Sequence, residues 1–244
     1  MGTLLIASDY DGCIAPIVSR PEDAAPLPES IAALRDAAEL AHTPVAVVSG
    51  RALTDLTARS GLGDTTIALV GSHGSESDVG FDQPITAEKQ ALLARIITEF
   101  DSIAADLPGV RVETKPISTA LHVRNATPAD AETALARARA GAATWAGVEA
   151  TEGKAVIELA VIKTSKGIAL DLLRAQTGAD AVLYLGDDVT DEKAFAHLRA
   201  EGDVSIKVGT GETAARYRIN DPHDVATVLA TILDRRREFL SAGR

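Results

Sequence analysis

A chain of 244 residues has room for one large domain or two modest ones, and 46% hydrophobic with only 3% aromatic residues describes a core of Ala, Val, Leu and Ile, which excludes intrinsic disorder. With 24 basic against 35 acidic side chains the net charge is -11, a surface that repels a nucleic-acid backbone or an anionic bilayer, so neither nucleic acid nor membrane is an expected partner. The single cysteine, Cys13, excludes an internal disulfide and a multi-thiolate metal site; with no signal-peptide pattern and no apolar window near the roughly 20 residues of a membrane span, a cytoplasmic location is expected.

The chain opens on a short apolar run at 4–8 that predicts a buried strand. A helix follows at 28–40 (PESIAALRDAAEL), where Ile31, Leu34, Ala38 and Ala41 recur at helical spacing behind Pro28 and Glu29, residues suited to a first turn. A strand at 45–49, a helix at 53–60 and a strand at 67–70 continue the alternation. From about 77 to 161 the rhythm changes: a hairpin-like segment (SDVGFDQPI), a helix at 87–105, adjacent strands at 110–115 and 119–124, a helix at 128–141, then strands at 148–151 and 155–161. The alternation resumes with a helix at 166–176, a strand at 182–186, a helix at 191–199, a strand at 204–208 and a helix at 224–239. Strand alternating with helix predicts a doubly wound parallel, Rossmann-like α/β core from residues 1–76 and 162–244. Paired strands separated by helices predict an α+β domain inserted at 77–161.

Asp9 and Asp11 follow the first strand in SDYDG, and alternation places both carboxyls on one side at the strand's carboxyl end, where open α/β sheets bind ligands. Gly12 supplies the turn. A second acidic run, from Gly186 to Glu192 (GDDVTDE), follows the fourth core strand in the same kind of place. Carboxylates crowded from two loops require a compensating charge, and hard oxygen donors call for Mg²⁺. Ser49 ends the second strand in VSGR, where its hydroxyl and the following backbone N–H groups can grip an anion at the start of the next helix, and Lys166, in SKG, opens another helix and offers an anion its ammonium. Each of these has an ordinary alternative use: Ser as a helix cap, Lys as a solvated charge, Thr190 or Asp191 as the cap of the helix that follows them.

The order DxD, Ser, Lys, GDDxTD resembles the haloacid-dehalogenase-like (HAD) phosphatase superfamily. The segments DYDGCIAPIV, VAVVSGR, VGSHGSE, GKAVIEL, SKGIAL and LGDDVTDEKAF further resemble the trehalose-6-phosphate phosphatase family, nearly end to end. The resemblance implies a Mg²⁺-dependent phosphoric monoester hydrolase in which Asp9 attacks phosphorus and Asp11 acts as acid and then base. Asp187 would ligate the metal with Asp9 and the Asp11 carbonyl, Asp188 and Asp191 would support it, and Ser49 and Lys166 would bind the phosphoryl group. It further implies that the insert is a cap selecting the sugar, through Glu113, Lys115, Ser118, His122, Arg124, Lys154 and Glu158, with Ser72, His73 and Gly74 also contacting substrate. Alternation places Glu113 with Lys115, and His122 with Arg124, on one face of a strand.

Two positions depart from the family's usual pattern: Cys13 stands where Thr is common, and Leu159, Ala160 and Val161 where Arg-Pro commonly follows the insert's last Glu. Cys13 does not fit a cysteine-phosphatase loop, because Ser19 rather than Arg stands six residues on. Gly209, Thr210 and Gly211 lack the Lys of a phosphate loop and read as a turn, and Trp145 and His197 read as packing or surface residues. The expected substrate is trehalose 6-phosphate and the expected state a monomer. Phosphatases of glucosylglycerol or mannosylglycerate phosphate, and a non-catalytic sugar-phosphate sensor, remain alternatives.

Overall fold

The computed structural model describes residues 2–79, 85–153, 155–198 and 201–242. Along the chain run β1 (Leu4–Ser8), α1 (Pro28–Ala38), β2 (Val45–Val48), α2 (Leu53–Ser60), β3 (Ala68–Gly71), β4 (Glu76–Ser77), α3 (Ala87–Asp106), β5 (Arg111–Thr114), β6 (Ser118–His122), α4 (Pro128–Ala140), β7 (Glu149–Gly153), β8 (Val156–Ala160), α5 (Lys166–Thr177), β9 (Ala181–Gly186), α6 (Val189–Phe195), β10 (Val204–Val208), β11 (Tyr217–Ile219) and α7 (Pro222–Ala242). They fall into two compact units, Met1–Phe81 with Thr164–Arg244, and Asp82–Lys163.

The first unit carries a seven-stranded sheet in the order β11-β10-β9-β1-β2-β3-β4, parallel throughout except where β4 pairs antiparallel with β3. Its middle strands are buried on both faces, which is why they read as unbroken apolar runs. Alternation divides their side chains between two cores. Ile6, Val45, Val47 and Leu185 pack with Leu34 of α1, Leu56 of α2 and Leu229 of α7. Leu5, Ala7, Ala46 and Val48 pack with Leu170 and Leu173 of α5 and Phe195 of α6 on the other face. The expected doubly wound α/β core is present.

The second unit is a four-stranded antiparallel sheet, β5-β6-β8-β7, packed by one face on α3 and α4. Leu121, Ile157 and Leu159 turn toward Ile96, Phe100 and Ala134 of the helices. The register sets Glu113 and Glu158 on either side of Ala120, in a row on the opposite face. Thr86 and Thr127 cap α3 and α4 by accepting from the Lys89 and Asp130 N–H groups.

Three elements differ from expectation: the start of α6 and the two unforeseen short strands β4 and β11. The helix expected at 191–199 begins at Val189, because Asp188 rather than Thr190 or Asp191 is its cap; Arg199 lies outside the described residues. The short strands β4 and β11 were not anticipated, and residues 80–84 of the hairpin-like segment lie outside the described residues. Among the described residues no helix is long and apolar enough to cross a membrane.

Candidate active site

The first strand delivers Asp9 to the carboxyl edge of the sheet, where its N–H donates to Leu185 O of the neighbouring β9 at 2.9 Å. Asp9 Oδ1 accepts from the Tyr10 N–H at 2.6 Å and Oδ2 meets Lys166 Nζ at 2.7 Å. Lys166 is the first residue of α5 and is buried, and its ammonium also donates to Asp191 Oδ1 at 2.9 Å. Asp191 accepts three further bonds, from Tyr184 OH at 2.6 Å and from the Asp187 and Asp188 N–H groups at 2.9 Å each. Asp188 in return caps the Val189 N–H, so one reciprocal capping box both starts α6 and shapes the acidic loop.

Asp9, Asp187 and Asp191 each offer an oxygen within 4.8 Å of the other two. Asp187 lies over Gly12, where a Cβ would come 2.0 Å from its Oδ2; with φ at +75°, that position requires glycine on both counts. Burial raises the Asp9 carboxyl well above its ordinary value against the pull of Lys166, and Asp191 and Asp187 add to the rise. Burial, followed by the charge of Asp191, pushes Asp187 up to about 6. Asp191 is opposed by burial as well, but Lys166 and the bonds from Tyr184 and the Asp188 N–H outweigh it and hold the carboxyl below its ordinary value. For Lys166, burial is outweighed by Asp9 and Asp191, so the ammonium is held charged. Asp191 and Lys166 thus form a charged pair, while ionisation of Asp9 and Asp187 calls for one more cation. An all-oxygen donor set of this kind fits a hard divalent ion.

Asp11 parts from Asp9. The strand ends at Ser8, so alternation does not carry on to Asp11, which instead bridges to Ala15 and turns its carboxylate into the fork of Arg51. Arg51 Nε donates to Oδ2 at 2.7 Å and Nη2 to Oδ1 at 2.6 Å; Nη1 reaches Asp55 at 2.7 Å, and the guanidinium lies 5.3 Å from the Tyr10 ring centre. Both Asp9 and Asp11 line one cavity of about 550 Å³ with His73, Lys166, Asp187 and Asp188. Gly50, Arg51 and Thr190 also line it, as do the apolar Ile17, Val18 and Pro21. Ser49 is fully buried, its Oγ accepting from the Arg51 N–H at 3.1 Å. Ser72 and Gly74 are buried on either side of His73.

In the second unit, Lys115 Nζ and Ser118 Oγ both donate to Glu158, at 3.1 and 2.6 Å, and Glu113 pairs with His122 Nε2 at 2.7 Å. Arg124 is exposed in the turn after β6, which ends at His122, and Lys115 follows the last residue of β5, so both lie just past their strands; Lys115 still meets Glu158, which shares a row with Glu113. Lys154 lies outside the described residues.

Sequence reasoning overlooked four side chains. Arg51 stands in the quoted VSGR. Tyr184 reads only as a core aromatic. Lys207 of β10 donates to the Asp187 carbonyl and meets Glu192 at 3.5 Å. Glu76, at the end of VGSHGSE, accepts from the Ser72 hydroxyl and from the Leu53 N–H at 3.2 Å. Only VSGR offered a signal, an Arg two residues after Ser49 and just before a helix.

A sequence profile described as trehalose-phosphatase matches residues 7–223. The trehalose-6-phosphate phosphatase of Escherichia coli is 30% identical over 236 residues, which is 94% of this chain and 88% of that protein. The trehalose-phosphate phosphatase of Mycobacterium marinum is 36% identical over 233 residues, 89% of this chain, which spans 58% of that longer protein. The C-terminal domain of Candida albicans trehalose-6-phosphate phosphatase shares the fold, with a TM-score of 0.72 at 23% identity, covering 96% of this chain and 93% of that one.

Proposed function

Because the chain belongs to the trehalose-phosphatase family, within the HAD-type phosphatases, and is therefore a phosphoric monoester hydrolase, we propose that it hydrolyses trehalose 6-phosphate to trehalose and phosphate. The observation that carries this reading is the cluster of Asp9, Asp187, Asp191 and Lys166, of which Asp9, Asp187 and Lys166 line an open cavity.

Asp9 is the nucleophile: its carboxylate attacks phosphorus, the bond to the sugar oxygen breaks, and an aspartyl phosphate forms that water then cleaves. Lys166 binds the phosphoryl oxygens and offsets the repulsion between the two anions. Asp9, Asp187 and the Asp11 carbonyl would hold Mg²⁺, supported by Asp188 and Asp191. Bound there, the ion would neutralise charge that develops on the phosphoryl oxygens. Asp11 gives a proton to the departing sugar oxygen and later takes one from the attacking water. Both its oxygens accept from the Arg51 fork, so each transfer uses a lone pair that the fork leaves open. Gly50 and Arg51 would form the other wall of the phosphoryl site, with Ser49 Oγ holding the Arg51 N–H from behind.

The second unit, residues 77–161 in the sequence reading, selects the sugar. Glu113, Lys115, Ser118, His122 and Glu158 present donors and acceptors on one sheet face, the chemistry a disaccharide's hydroxyls require, and the sequence assigns Arg124 and Lys154 to the same sugar contacts. Phosphate release from a panel of sugar phosphates, with Mg²⁺ and with chelator, tests the reading. Release from trehalose 6-phosphate far above glucosylglycerol or mannosylglycerate phosphate, and only with the metal, is expected. Equal release from all, or full release in chelator, contradicts it.

A further inference from the structure

The turn after β3 holds two consecutive non-glycine residues in the left-handed region, Ser72 at φ 47° and His73 at φ 55°, followed by Gly74 at φ 105°. Side-chain-bearing residues resist that conformation, so a neighbouring structure must hold it in place. The turn is stitched to the loop between β2 and α2 by two backbone bonds, Ser72 N–H to Arg51 O at 2.7 Å and His73 N–H to Ser49 O at 2.9 Å. Between them the His73 ring lies directly over Gly50, where a Cβ would come 2.5 Å from its Cε1. Gly50, Arg51 and His73 all line the cavity that Asp9 and Lys166 share.

Glu76 closes this arrangement from the other end. It pairs with Gly71 across the β3–β4 ladder, which brings its carboxylate back over the turn. One oxygen accepts from the Ser72 hydroxyl and the other from the Leu53 N–H at 3.2 Å. Leu53 is the first residue of α2, and the cap position before it is Ala52, whose side chain has no acceptor. Glu76 therefore supplies from another strand the acceptor that the helix start lacks, with the negative charge that a helix N-terminus favours. A single carboxylate joins the strained turn to the helix that carries the far side of the Ser49–Arg51 loop.

We propose that Glu76 is a positioning residue of the phosphoryl site: it fixes the Ser72–His73 turn to the start of α2 and so sets the cavity wall made by His73, Gly50 and Arg51. The pocket role rests on the phosphatase reading, whereas the clamp itself does not. Glu76→Ala removes both bonds. Glu76→Gln keeps them, since its carbonyl accepts from Leu53 N–H and its amide donates to Ser72 Oγ.

Two readouts on the full chain separate the parts of the proposal. Amide hydrogen exchange, without any ligand, should quicken at Leu53 and His73 in Glu76→Ala and stay near wild type in Glu76→Gln. Calorimetric binding of orthovanadate in the presence of Mg²⁺ should weaken about tenfold in Glu76→Ala, the scale of one lost charge-assisted hydrogen bond, with Glu76→Gln within about threefold of wild type. Binding of Mg²⁺ alone should be unchanged in both variants, because Asp9 and Asp187 stand on other loops. Unaltered exchange in Glu76→Ala overturns the clamp. Quickened exchange with unaltered vanadate binding overturns the positioning role, as does an equal loss of Mg²⁺ binding. A wild-type chain that neither binds vanadate nor releases phosphate overturns the phosphatase reading and the pocket role with it, while exchange still decides the clamp.

Discussion

In the first unit Asp9 and Asp191 share the buried ammonium of Lys166, Asp187 stands half-buried beside them, and Asp9 and Asp187 are pushed above their ordinary values. In the second unit the two acids of the sheet face are half-buried and each has its own partner: Glu158 has Lys115 and Ser118, and Glu113 has His122. The contrast is one of charge balance under desolvation. A buried excess of negative charge is held against its own electrostatic cost and is suited to an electrophile and a cation; a balanced, partly wet face is suited to exchanging its hydrogen bonds for those of a polar ligand. On this account chemistry belongs to the first constellation and selection to the second.

The hardest blow to the first constellation is Asp9→Asn. An amide neither attacks phosphorus nor ligates as an anion, so turnover should fall by roughly 10³-fold or more on every substrate, read by steady-state phosphate release. Asp11→Asn sharpens the same side, because it retains Asp9 and the Asp11 carbonyl. Trehalose 6-phosphate cleavage should fall by roughly 10²- to 10⁴-fold for want of an acid. An activated aryl phosphate, whose leaving group departs as an anion, should instead give a burst approaching one equivalent of aryl alcohol and then a slow phase, seen by rapid mixing. Slow release from the start would remove Asp11 from its acid-then-base role.

A smaller effect reads the charge imbalance itself. The folded Asp187 carboxyl titrates at about 6 against an ordinary value of 3.8, so the folded state holds its proton longer than the unfolded chain. Its contribution to stability is therefore complete below about 4 and is lost as pH rises through 6. A divalent cation binds the ionised form and cancels that loss. Thermal unfolding should accordingly show MgCl₂ raising Tm by about 5 °C at pH 7.5 and by much less at pH 5. A shift that does not depend on pH would separate Asp187 from the metal.

The two regions also differ in how much the sequence disclosed. β1, β2 and β9 were legible because strands buried on both faces leave unbroken apolar runs, and α3 and α4 because their stripes repeat over many turns. β4 is two half-buried polar residues and β11 three mostly exposed ones, too short and too wet to leave a pattern. The acids, Ser49 and Lys166 stood out by their positions at strand ends and helix starts. Arg51 and Glu76 did not, because what each does depends on partners brought near by sheet order: Asp11, 40 residues from Arg51, and Leu53, 23 residues from Glu76. Asp11 and Arg124 both lie beyond the ends of their strands, where strand alternation no longer sets the direction of a side chain.

The division of labour is tested most directly by one comparison: kcat/KM for trehalose 6-phosphate and for a small aryl phosphate, measured in wild type, Asp9→Asn and Glu158→Ala. The account predicts that Asp9→Asn loses both activities together. Glu158→Ala should lose about ten- to a hundredfold on trehalose 6-phosphate and nearly nothing on the aryl phosphate, because a group that binds the remote sugar serves the reacting centre only when the sugar is there. Equal losses on both substrates in Glu158→Ala would place that residue in the fold or the chemistry and contradict the division.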